Sequence, residues 1–516
     1  MRRFLKIIFN RMTFVAVAII LQLIISILFP YILSFYYPFT FNNIYIPIDT
    51  VLKLIAIILM LRVINSDMTV EGKMPWIILF LWLPIIGIVL YVVFVRPRPI
   101  SKLRQYCSQL RQEISPYLRI NDCQEIEFKN GLGDYYGQFK YIHNSTGYRV
   151  YGNTDTKFLP TGRVFFEELK HELNKAKRYI FMEYFIIEQG QMWNEIYHIL
   201  REKISEGVEV RLMYDDIGTI HKLPSRFSRD LERLGVKCVK FNSFVPIVSA
   251  FHNNRDHRKM TIIDGKIGFM SGLNIADEYI NLKQPFGYWK DTGIKIVGEA
   301  VKSMVLMYLE LFDVQSRQTE DISKYMPSDI STINPSGYVC PFGDGPRYFC
   351  SEQVAVNVFL NLINQAKRYI WITSPYLIID SKLNNALCNA AMRGVSVKII
   401  TPRIPDKQTI FKITRSNYKN LMLSGVKIYE FTKGFIHSKQ ILVDDDIAFV
   451  GTINMDYRSL LHHFECGILL CKTSSLRVIR RDFVQVLSLS EDMCEFKQSA
   501  FTRLYCALLK VFTPIL

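Results

Sequence analysis

The pattern His-x-Lys-x4-Asp occurs twice, as His257-Arg-Lys-Met-Thr-Ile-Ile-Asp264 and as His437-Ser-Lys-Gln-Ile-Leu-Val-Asp444. Each copy is followed, after the same interval, by two small residues, one apolar residue and an asparagine (Asn274 and Asn454). One copy alone fits an ordinary surface histidine near a strand end. Two copies with identical internal spacing argue against that interpretation and predict an internal duplication.

Further matching blocks surround the two copies and extend the duplication over most of the chain. They are Ala176–Ile180 with Ala366–Ile370, Gly207–Met213 with Gly394–Ile400, and Leu234–Lys237 with Ser424–Lys427. In each half, amphipathic helical patterns alternate with short apolar runs in the order helix, strand, helix, strand, short strand. This alternation predicts an α/β sandwich with a mixed sheet in each half, and an active site where the halves meet.

The residue types in the repeated pattern indicate phosphate chemistry. Residues i and i+2 of a strand face the same side, so His257 and Lys259 are expected to project together, as are His437 and Lys439. A cation site would not normally be built beside an ammonium group, so we expect no metal and no cofactor. Two imidazoles and two ammonium groups form an anion site that suits a phosphodiester.

Each residue of this site can be given a chemical role. One imidazole can attack phosphorus while the other protonates the leaving alkoxide. The lysines neutralise charge that develops on the non-bridging oxygens. A buried aspartate that hydrogen-bonds a histidine would fix its tautomer, which is the role expected of Asp264 or Asp444. The sequence does not decide which histidine attacks.

Composition and charge narrow the choice of partner. The chain has 516 residues, 49% of them hydrophobic, and a net charge of +16, which favours nucleic acid, anionic lipid or a phosphorylated substrate. Residues 1–105 hold eleven basic and three acidic side chains within the most apolar part of the chain, so lipid headgroups are favoured over nucleic acid. The ten cysteines form no Cys-x-x-Cys pair, so neither a zinc ribbon nor a redox motif is expected.

The N-terminal part is predicted to be a membrane anchor of two or three helices over residues 1–105. Met12–Tyr37 and Trp76–Val95 are uncharged runs of spanning length, and Ile44–Leu61 is weaker because Asp49 and Lys53 interrupt it. A cleaved signal peptide is not favoured, because the first apolar run is too long. Basic residues flank both strong runs, so two spans and a cytoplasmic catalytic part satisfy the positive-inside rule, whereas three spans do not.

The remaining chain divides into a lead-in over 106–150, a first repeat over 151–320 and a second repeat over 336–516. The segment Asp313–Pro335 is a polar linker between the repeats. The last segment, Phe501–Leu516, is amphipathic, which fits either a membrane-contacting helix or a core helix.

The duplicated pattern resembles the phospholipase D superfamily. The resemblance implies a duplicated phospholipase D-type α/β sandwich with mixed sheets, preceded here by N-terminal transmembrane helices. It also implies a covalent phosphohistidine formed without metal, with His257 as nucleophile, His437 as acid and base, and the orienting acids crossed between the halves. By resemblance the catalytic residues are His257, Lys259, Asp264, His437, Lys439 and Asp444, and the accessory asparagines are Asn274 and Asn454.

Within that superfamily, several stretches are similar to bacterial cardiolipin synthases. They are Met182–Ile187, Tyr214–Gly218, Asn274–Tyr279, Trp289–Thr292, Thr373–Tyr376 and Asn454–Ser459. Two positions depart from the family: Ser271-Gly272 replaces a Gly-Ser or Gly-Gly pair, and His463 stands where asparagine is common. Glu183 and Glu465 are candidates for substrate binding, or else structural partners of basic side chains.

The similarity to cardiolipin synthases implies a membrane enzyme that transfers a phosphatidyl group between two phosphatidylglycerol molecules, giving cardiolipin and glycerol. The expected partners are phosphatidylglycerol and anionic membrane lipids, not nucleic acid, at a multi-pass location in the cell membrane. A phospholipase D hydrolase and another phosphatidyltransferase would use the same site and remain open. A nucleic-acid phosphodiesterase or a non-catalytic anion-binding module fits the charge, but fits the apolar spans poorly.

Overall fold

The computed structural model describes residues 24, 29–94, 101–243, 254–316, 321–327, 335–346, 349–350 and 352–513, with the side chains of 29, 94 and 101–107 excepted. The chain forms two units. The smaller one comprises residues 1–100, 244–253 and 504–516, and the larger one comprises 101–243 and 254–503. The larger unit holds the first predicted repeat (151–320) except for 244–253, and the second predicted repeat (336–516) except for 504–516.

The N-terminal segment of the smaller unit contains four apolar helices in its described part. They are α1 (Phe29–Tyr36), α2 (Pro38–Ile64), α3 (Val70–Trp82) and α4 (Pro84–Phe94). Among the described residues, α2 is the one helix that is long and apolar enough to cross a membrane. Asp49 and Lys53, which make this segment look weak in the sequence, form an i,i+4 ion pair of 2.6 Å on the helix.

The predicted span over 76–95 is not one helix in the structure. Helix α3 ends at Trp82 and α4 begins at Pro84, because proline lacks an N–H and disfavours helical backbone at the residue before it. The two short helices pack together, with the rings of Trp76 and Tyr91 5.6 Å apart. The predicted span Met12–Tyr37 lies largely outside the described residues.

The larger unit begins with three helices: α5 (Ser101–Ile114), α6 (Asp122–Leu132) and α7 (Tyr136–Thr146). The helices of the first half follow: α8 (Gly162–Leu173), α9 (Gln191–Ser205), α10 (Asp216–Thr219), α11 (Phe227–Leu234) and α12 (Val301–Ser316). Its strands are β1 (Thr154–Leu159), β2 (Tyr179–Tyr184), β3 (Glu209–Asp215), β4 (Lys237–Phe241), β5 (Lys259–Ile263), β6 (Ile267–Ser271), β7 (Tyr288–Lys290) and β8 (Gly293–Gly298).

The second half repeats this order. Its strands are β9 (Tyr338–Asp344), β10 (Tyr369–Thr373), β11 (Leu377–Ile378), β12 (Ser396–Pro402), β13 (Lys427–Phe431), β14 (Gly434–Ile436), β15 (Gln440–Val443), β16 (Ile447–Gly451), β17 (Met455–Asp456), β18 (Glu465–Cys471) and β19 (Ser490–Asp492). Its helices are α13 (Val354–Gln365), α14 (Ser381–Met392), α15 (Gln408–Ser416), α16 (Tyr418–Leu423), α17 (Tyr457–Leu461) and α18 (Ser475–Ser488). Helix α19 (Ala500–Phe512) closes the described chain.

Each half contains one mixed sheet, and the two sheets have equivalent strand orders. The first is β1-β8-β6-β5-β2-β3-β4, and the second is β9-β18-β16-β15-β10-β12-β13-β19. The strands β2, β3 and β4 run parallel, as do β10, β12 and β13, and the remaining pairs are antiparallel. The predicted duplication and mixed sheets are confirmed. The second sheet has one extra edge strand, β19.

Helix α12 joins the two sheets into one core. It is buried from Val301 to Phe312 on almost every side, and it packs on β5 of the first sheet and on β9 of the second. A helix that is apolar all round belongs in an interior, which explains why this one lies between the halves. The parallel pair β7–β14 adds a second connection, because one strand comes from each half.

The final helix, α19, exposes an apolar stripe. Phe501, Leu504 and Leu508 are all more than half exposed, and their spacing of three and four residues places them on one side of the helix. Because these side chains are exposed, they are not part of a hydrophobic core. The prediction of a core helix over 501–516 therefore does not hold at these positions.

Candidate active site

The backbone of each histidine is held by the opposite half of the larger unit. The N–H of His257 donates to the carbonyl oxygen of Phe464 (2.9 Å), and the N–H of His437 donates to that of Lys290 (2.7 Å). Strand β5 begins at Lys259, so His257 lies two residues before the strand and directly after Asp256, which forms a β-bridge with Phe464. Both histidines therefore lie at the junction of the halves, where the duplication predicts the active site.

The imidazole rings are also held across the junction. Nδ1 of His257 lies 2.9 Å and 3.0 Å from the two carboxylate oxygens of Glu465, and Nδ1 of His437 lies 2.6 Å from Oδ2 of Asp291. Both carboxylates are fully buried. A carboxylate on Nδ1 fixes the tautomer and the ring orientation, and it leaves Nε2 of each ring available for chemistry.

Asp291 and Glu465 occupy equivalent positions in the two sheets. Asp291 lies two residues before Gly293, which pairs with Ser271, and Glu465 lies two residues before Gly467, which pairs with Gly451. Ser271 and Gly451 are each the first of the two small residues that follow a motif. Sequence reasoning gave Asp291 no role and treated Glu465 as a substrate-binding candidate. The repeated signal Asp-Thr-Gly-Ile and Glu-Cys-Gly-Ile could have found both residues.

The expectation that Asp264 or Asp444 orients a histidine is wrong. The carboxylate of Asp264 accepts hydrogen bonds from the backbone N–H groups of Lys177, Arg178 and Tyr179 (2.7–2.9 Å). Asp444 accepts the equivalent bonds from residues 367–369 (2.7–2.8 Å). Both aspartates have φ 54° in the turn after the motif strand, and they fasten that turn to the start of β2 or β10. Their carboxylates are thus committed to backbone amides, away from the imidazoles.

The two lysines of the motif are buried beside the histidines. Nζ of Lys259 donates to the carbonyl oxygen of His257 (2.5 Å), and Nζ of Lys439 donates to that of His437. Burial lowers the pKa of Lys259 to about 8 and that of Lys439 to about 7. Within the described residues each ammonium group donates one hydrogen bond, to the backbone, so it keeps further N–H groups for an anion.

Burial and the neighbouring ammonium groups also act on the imidazoles. The pKa of His257 lies well below its ordinary value because of burial and the charges on Lys259 and Lys439. Burial and Lys439 lower the pKa of His437 to about 4, against the opposing effect of Asp291. Both rings are therefore neutral near pH 7, which is the nucleophilic state of imidazole. An arriving phosphodiester anion would raise both values, since an opposite charge favours the protonated form.

The two accessory asparagines differ in their surroundings. Both polar atoms of the Asn274 side chain have a protein partner: Oδ1 accepts from the N–H of Ile186 (2.9 Å) and Nδ2 donates to the hydroxyl of Tyr279 (2.6 Å). Within the described part of the chain, Oδ1 of the buried Asn454 has no hydrogen-bond partner. The first asparagine thus shapes a loop, whereas the second retains capacity for a ligand.

Glu183 lies in the core behind the motif strand and does not line an accessible surface. It is fully buried, 4.0 Å from Nη1 of Arg258, and burial together with Asp256 raises its pKa well above the ordinary value. In the second half the same two positions hold Thr373 and Ser438, whose hydroxyl groups are 3.1 Å apart. Glu183 is therefore half of a structural pair, and its expected role in substrate binding is not met.

One group of side chains could hold a metal ion by proximity. A ring nitrogen of His257, a ring nitrogen of His463 and a carboxylate oxygen of Glu465 lie within 4.8 Å of one another. However, Glu465 already accepts from Nδ1 of His257 and from the hydroxyl of Thr452, and two ammonium groups act on the same imidazole. The donor set therefore suits a bound anion better than a bound cation.

Comparison with known proteins places the chain in a family. Residues 169–287 and 359–487 match the family model described as cardiolipin synthase, PLD-like domain. A cardiolipin synthase of Halalkalibacterium halodurans is 34% identical over 413 residues, which cover 80% of this chain and 82% of that protein. The chain belongs to the cardiolipin synthase family. An uncharacterized protein of Streptococcus mutans is 40% identical and covers 88% of this chain and 99% of its own length.

A solved structure agrees with the cardiolipin synthase assignment at the level of the fold. The phosphatidylserine synthase of Haemophilus influenzae superposes with a TM-score of 0.55 and 15% identity, covering 73% of this chain and 97% of that one. The two matched segments of the family model hold one histidine–lysine motif each. The first segment ends before Asp291, so the acid that holds His437 lies outside it.

Proposed function

We propose that this member of the cardiolipin synthase family transfers a phosphatidyl group from one phosphatidylglycerol to another, through a phosphohistidine on His257. The observation that carries the proposal is the crossed pair of Nδ1–carboxylate hydrogen bonds, which leaves Nε2 of His257 and of His437 available at one junction. One imidazole can then attack phosphorus while the other serves as acid and base.

In the first step, Nε2 of His257 attacks the phosphorus of the donor. The bond from phosphorus to the glycerol oxygen breaks, and His437, protonated in the presence of the anionic substrate, gives its proton to that oxygen. In the second step, the free hydroxyl of another phosphatidylglycerol gives its proton to His437 as its oxygen attacks phosphorus. The P–N bond breaks, His257 returns to its neutral state, and cardiolipin is released.

The remaining polar groups of the site would stabilise the charge on phosphorus. Lys259 and Lys439 are placed to neutralise the non-bridging oxygens, because each ammonium group is buried beside its own histidine. Oδ1 of Asn454, which is unpaired within the described residues, accepts hydrogen bonds and would therefore meet a hydroxyl group of the substrate. Water has to be excluded, since water as acceptor gives phosphatidic acid.

We further propose a multi-pass membrane location with the catalytic part in the cytoplasm. The exposed apolar helix α2 and the basic residues of the first 105 positions support contact with anionic lipid. The proposed organisation is an anchor over 1–105, a lead-in over 106–150, and repeats over 151–320 and 336–516. Both substrates are then delivered from the bilayer in which the enzyme sits.

The test uses purified full-length protein in phosphatidylglycerol vesicles with EDTA, followed by lipid chromatography. Cardiolipin and glycerol are expected in equal amounts, and both should disappear in the His257→Ala variant. Phosphatidic acid as the single product would mean that the enzyme catalyses hydrolysis and not transfer. Turnover that requires another added alcohol would indicate a different phosphatidyltransferase.

A further inference from the structure

The position two residues before the orienting acid differs between the halves. In the first half it is Trp289, before Asp291, and in the second half it is His463, before Glu465. The strand pairings that make the two acids equivalent make these two positions equivalent as well. Each ring packs on a histidine of the site: the Trp289 ring lies 5.3 Å from the His437 ring, and the His463 ring lies 5.5 Å from the His257 ring.

The surroundings of the two rings differ. Trp289 belongs to an aromatic cluster, with Tyr279 at 4.7 Å and Phe435 at 4.9 Å between ring centroids. The indole N–H is the one polar group of this side chain and can only donate. It has no hydrogen-bond partner within the described residues. The ring is held by packing on its aromatic neighbours.

His463 is 9% exposed, and neither of its ring nitrogens has a hydrogen-bond partner in the described part of the chain. Nδ1 lies 3.8 Å from Oε1 of Glu465, which is too long for a hydrogen bond. A buried imidazole with one donor and one acceptor both unused is costly unless a ligand satisfies them. These two unpaired ring nitrogens lie beside His257.

The position of His463 selects which part of the substrate it can meet. In an in-line displacement, the entering and leaving alcohols lie on the side of phosphorus opposite to the nucleophile, which here is the side of His437. A group packed against His257 therefore faces the non-bridging oxygens of the phosphoryl group. A neutral imidazole can donate one N–H there without adding a third positive charge to Lys259 and Lys439.

We propose that His463 is a further catalytic residue, whose ring N–H donates a hydrogen bond to a non-bridging oxygen of the phosphoryl group on His257. This inference rests on the proposed function for the identity of the nucleophile. No proton is transferred in the interaction, since the N–H remains on the imidazole throughout both steps.

The experiment compares His463→Phe, which keeps a ring and removes the donor, with His463→Asn and His463→Gln, which restore an N–H near Nδ1 or Nε2. Trp289→Phe is the matched control in the other half. Full-length enzymes are assayed for kcat and KM in cardiolipin formation, and for cleavage of a soluble aryl phosphodiester. Thermal midpoints are measured for every variant.

His463→Phe is expected to lower kcat about 10- to 100-fold in both assays with little change in KM, which is the loss expected for one hydrogen bond to a charged group. One of the two amide variants should recover most of this loss, and Trp289→Phe should cost less. Equal losses in the Phe, Asn and Gln variants, or an equal loss in Trp289→Phe, would mean that ring packing matters instead, and would overturn the proposal.

Two further outcomes are decisive. Activity that disappears with EDTA and returns with zinc would assign His463 to a metal site and overturn the hydrogen-bond role. Wild-type protein that cleaves the aryl diester but makes no cardiolipin would refute the proposed acceptor, while the comparison of His463 variants on the diester would still decide this inference.

Discussion

The His257 side and the His437 side of the site share one backbone plan but differ in the side chains around the imidazole. On both sides a backbone N–H is anchored across the junction, Nδ1 meets a buried carboxylate, and a lysine donates to the histidine carbonyl. Around His257 the additional neighbours are one aromatic ring, that of Phe185, together with Thr452, through Glu465, and His463, whose ring nitrogens are unpaired within the described residues. Around His437 they are aromatic rings.

This difference shows how a duplicated site can give its two copies different tasks. Polar groups with unused hydrogen-bonding capacity suit the histidine that carries a charged phosphoryl group. Aromatic packing restrains the other histidine and supplies no competing charge, which suits a group that exchanges a proton with an alcohol. The strands preserve the symmetry, and the residues beside the acids break it.

The largest expected effect separates the two histidines. His257→Ala should lower transfer by at least about 10⁴-fold, because the nucleophile is lost. With an aryl phosphodiester, whose leaving group needs no protonation, His437→Gln should still form a phosphoenzyme, and His257→Ala should not. The measurement is acid quenching followed by detection of protein-bound phosphate. A phosphoenzyme in His257→Ala and none in His437→Gln would exchange the roles of the two halves.

The next effect concerns the crossed acids. Glu465→Gln and Asp291→Asn should each lower kcat by about 10²- to 10⁴-fold, because an amide can present its N–H to Nδ1 and stabilise the wrong tautomer. Steady-state kinetics in phosphatidylglycerol vesicles measures the loss. Asp264→Asn is the matched control, since that carboxylate serves backbone amides. Near-normal kcat in either acid variant would remove that acid from the mechanism.

A smaller effect is expected from pH. The pKa of Lys439 is lowered to about 7 and that of Lys259 to about 8, so rising pH removes positive charge from the anion site. We expect kcat/KM, which reports the free enzyme, to decline above about pH 7, and more steeply above about pH 8. Thermal midpoints over the same range control for unfolding. A rate that rises continuously to pH 9 would contradict the role of the two ammonium groups.

The smallest effect on catalysis is expected at Asp264 and Asp444. Asparagine tolerates the positive φ of these turns, so Asp264→Asn and Asp444→Asn remove charge without backbone strain. Each variant should lose about 1.5–3 kcal/mol of unfolding free energy, while kcat of the folded protein stays within about threefold. Chemical denaturation in detergent measures the first quantity. A hundredfold loss of kcat at unchanged stability would mean that these two aspartates take part in catalysis.

Much of the larger unit could be predicted from the sequence because its signals are local or repeated. The two motifs, the strands that carry them and the alternation of helices and strands depend on neighbouring residues and on matching blocks. The lysine and histidine positions followed from the same spacing. The duplication predicted that these groups meet at the junction of the two halves.

The pairing of the two orienting acids with the histidines was not predicted because it forms only when the two halves of the larger unit pack together. Glu465 meets a histidine 208 residues away, and Asp291 meets one 146 residues away, so neither pairing leaves a local pattern. Asp264 and Asp444 were the nearest candidates in the sequence, but the turn directs their carboxylates to the neighbouring strand. In the smaller unit, hydropathy alone missed the break before Pro84 and undervalued α2, whose two charges pair with each other.

The crossed carboxylates have a consequence for the ribosome-bound chain. Domains generally fold from the N-terminus during synthesis, and His257 is complete long before Glu465 is translated. Until the second half has docked, the imidazole lacks both the carbonyl that holds its N–H and the acid that aims its ring. The nascent protein is therefore inert while its first half alone has folded, and it gains reactivity only when the second half folds and docks.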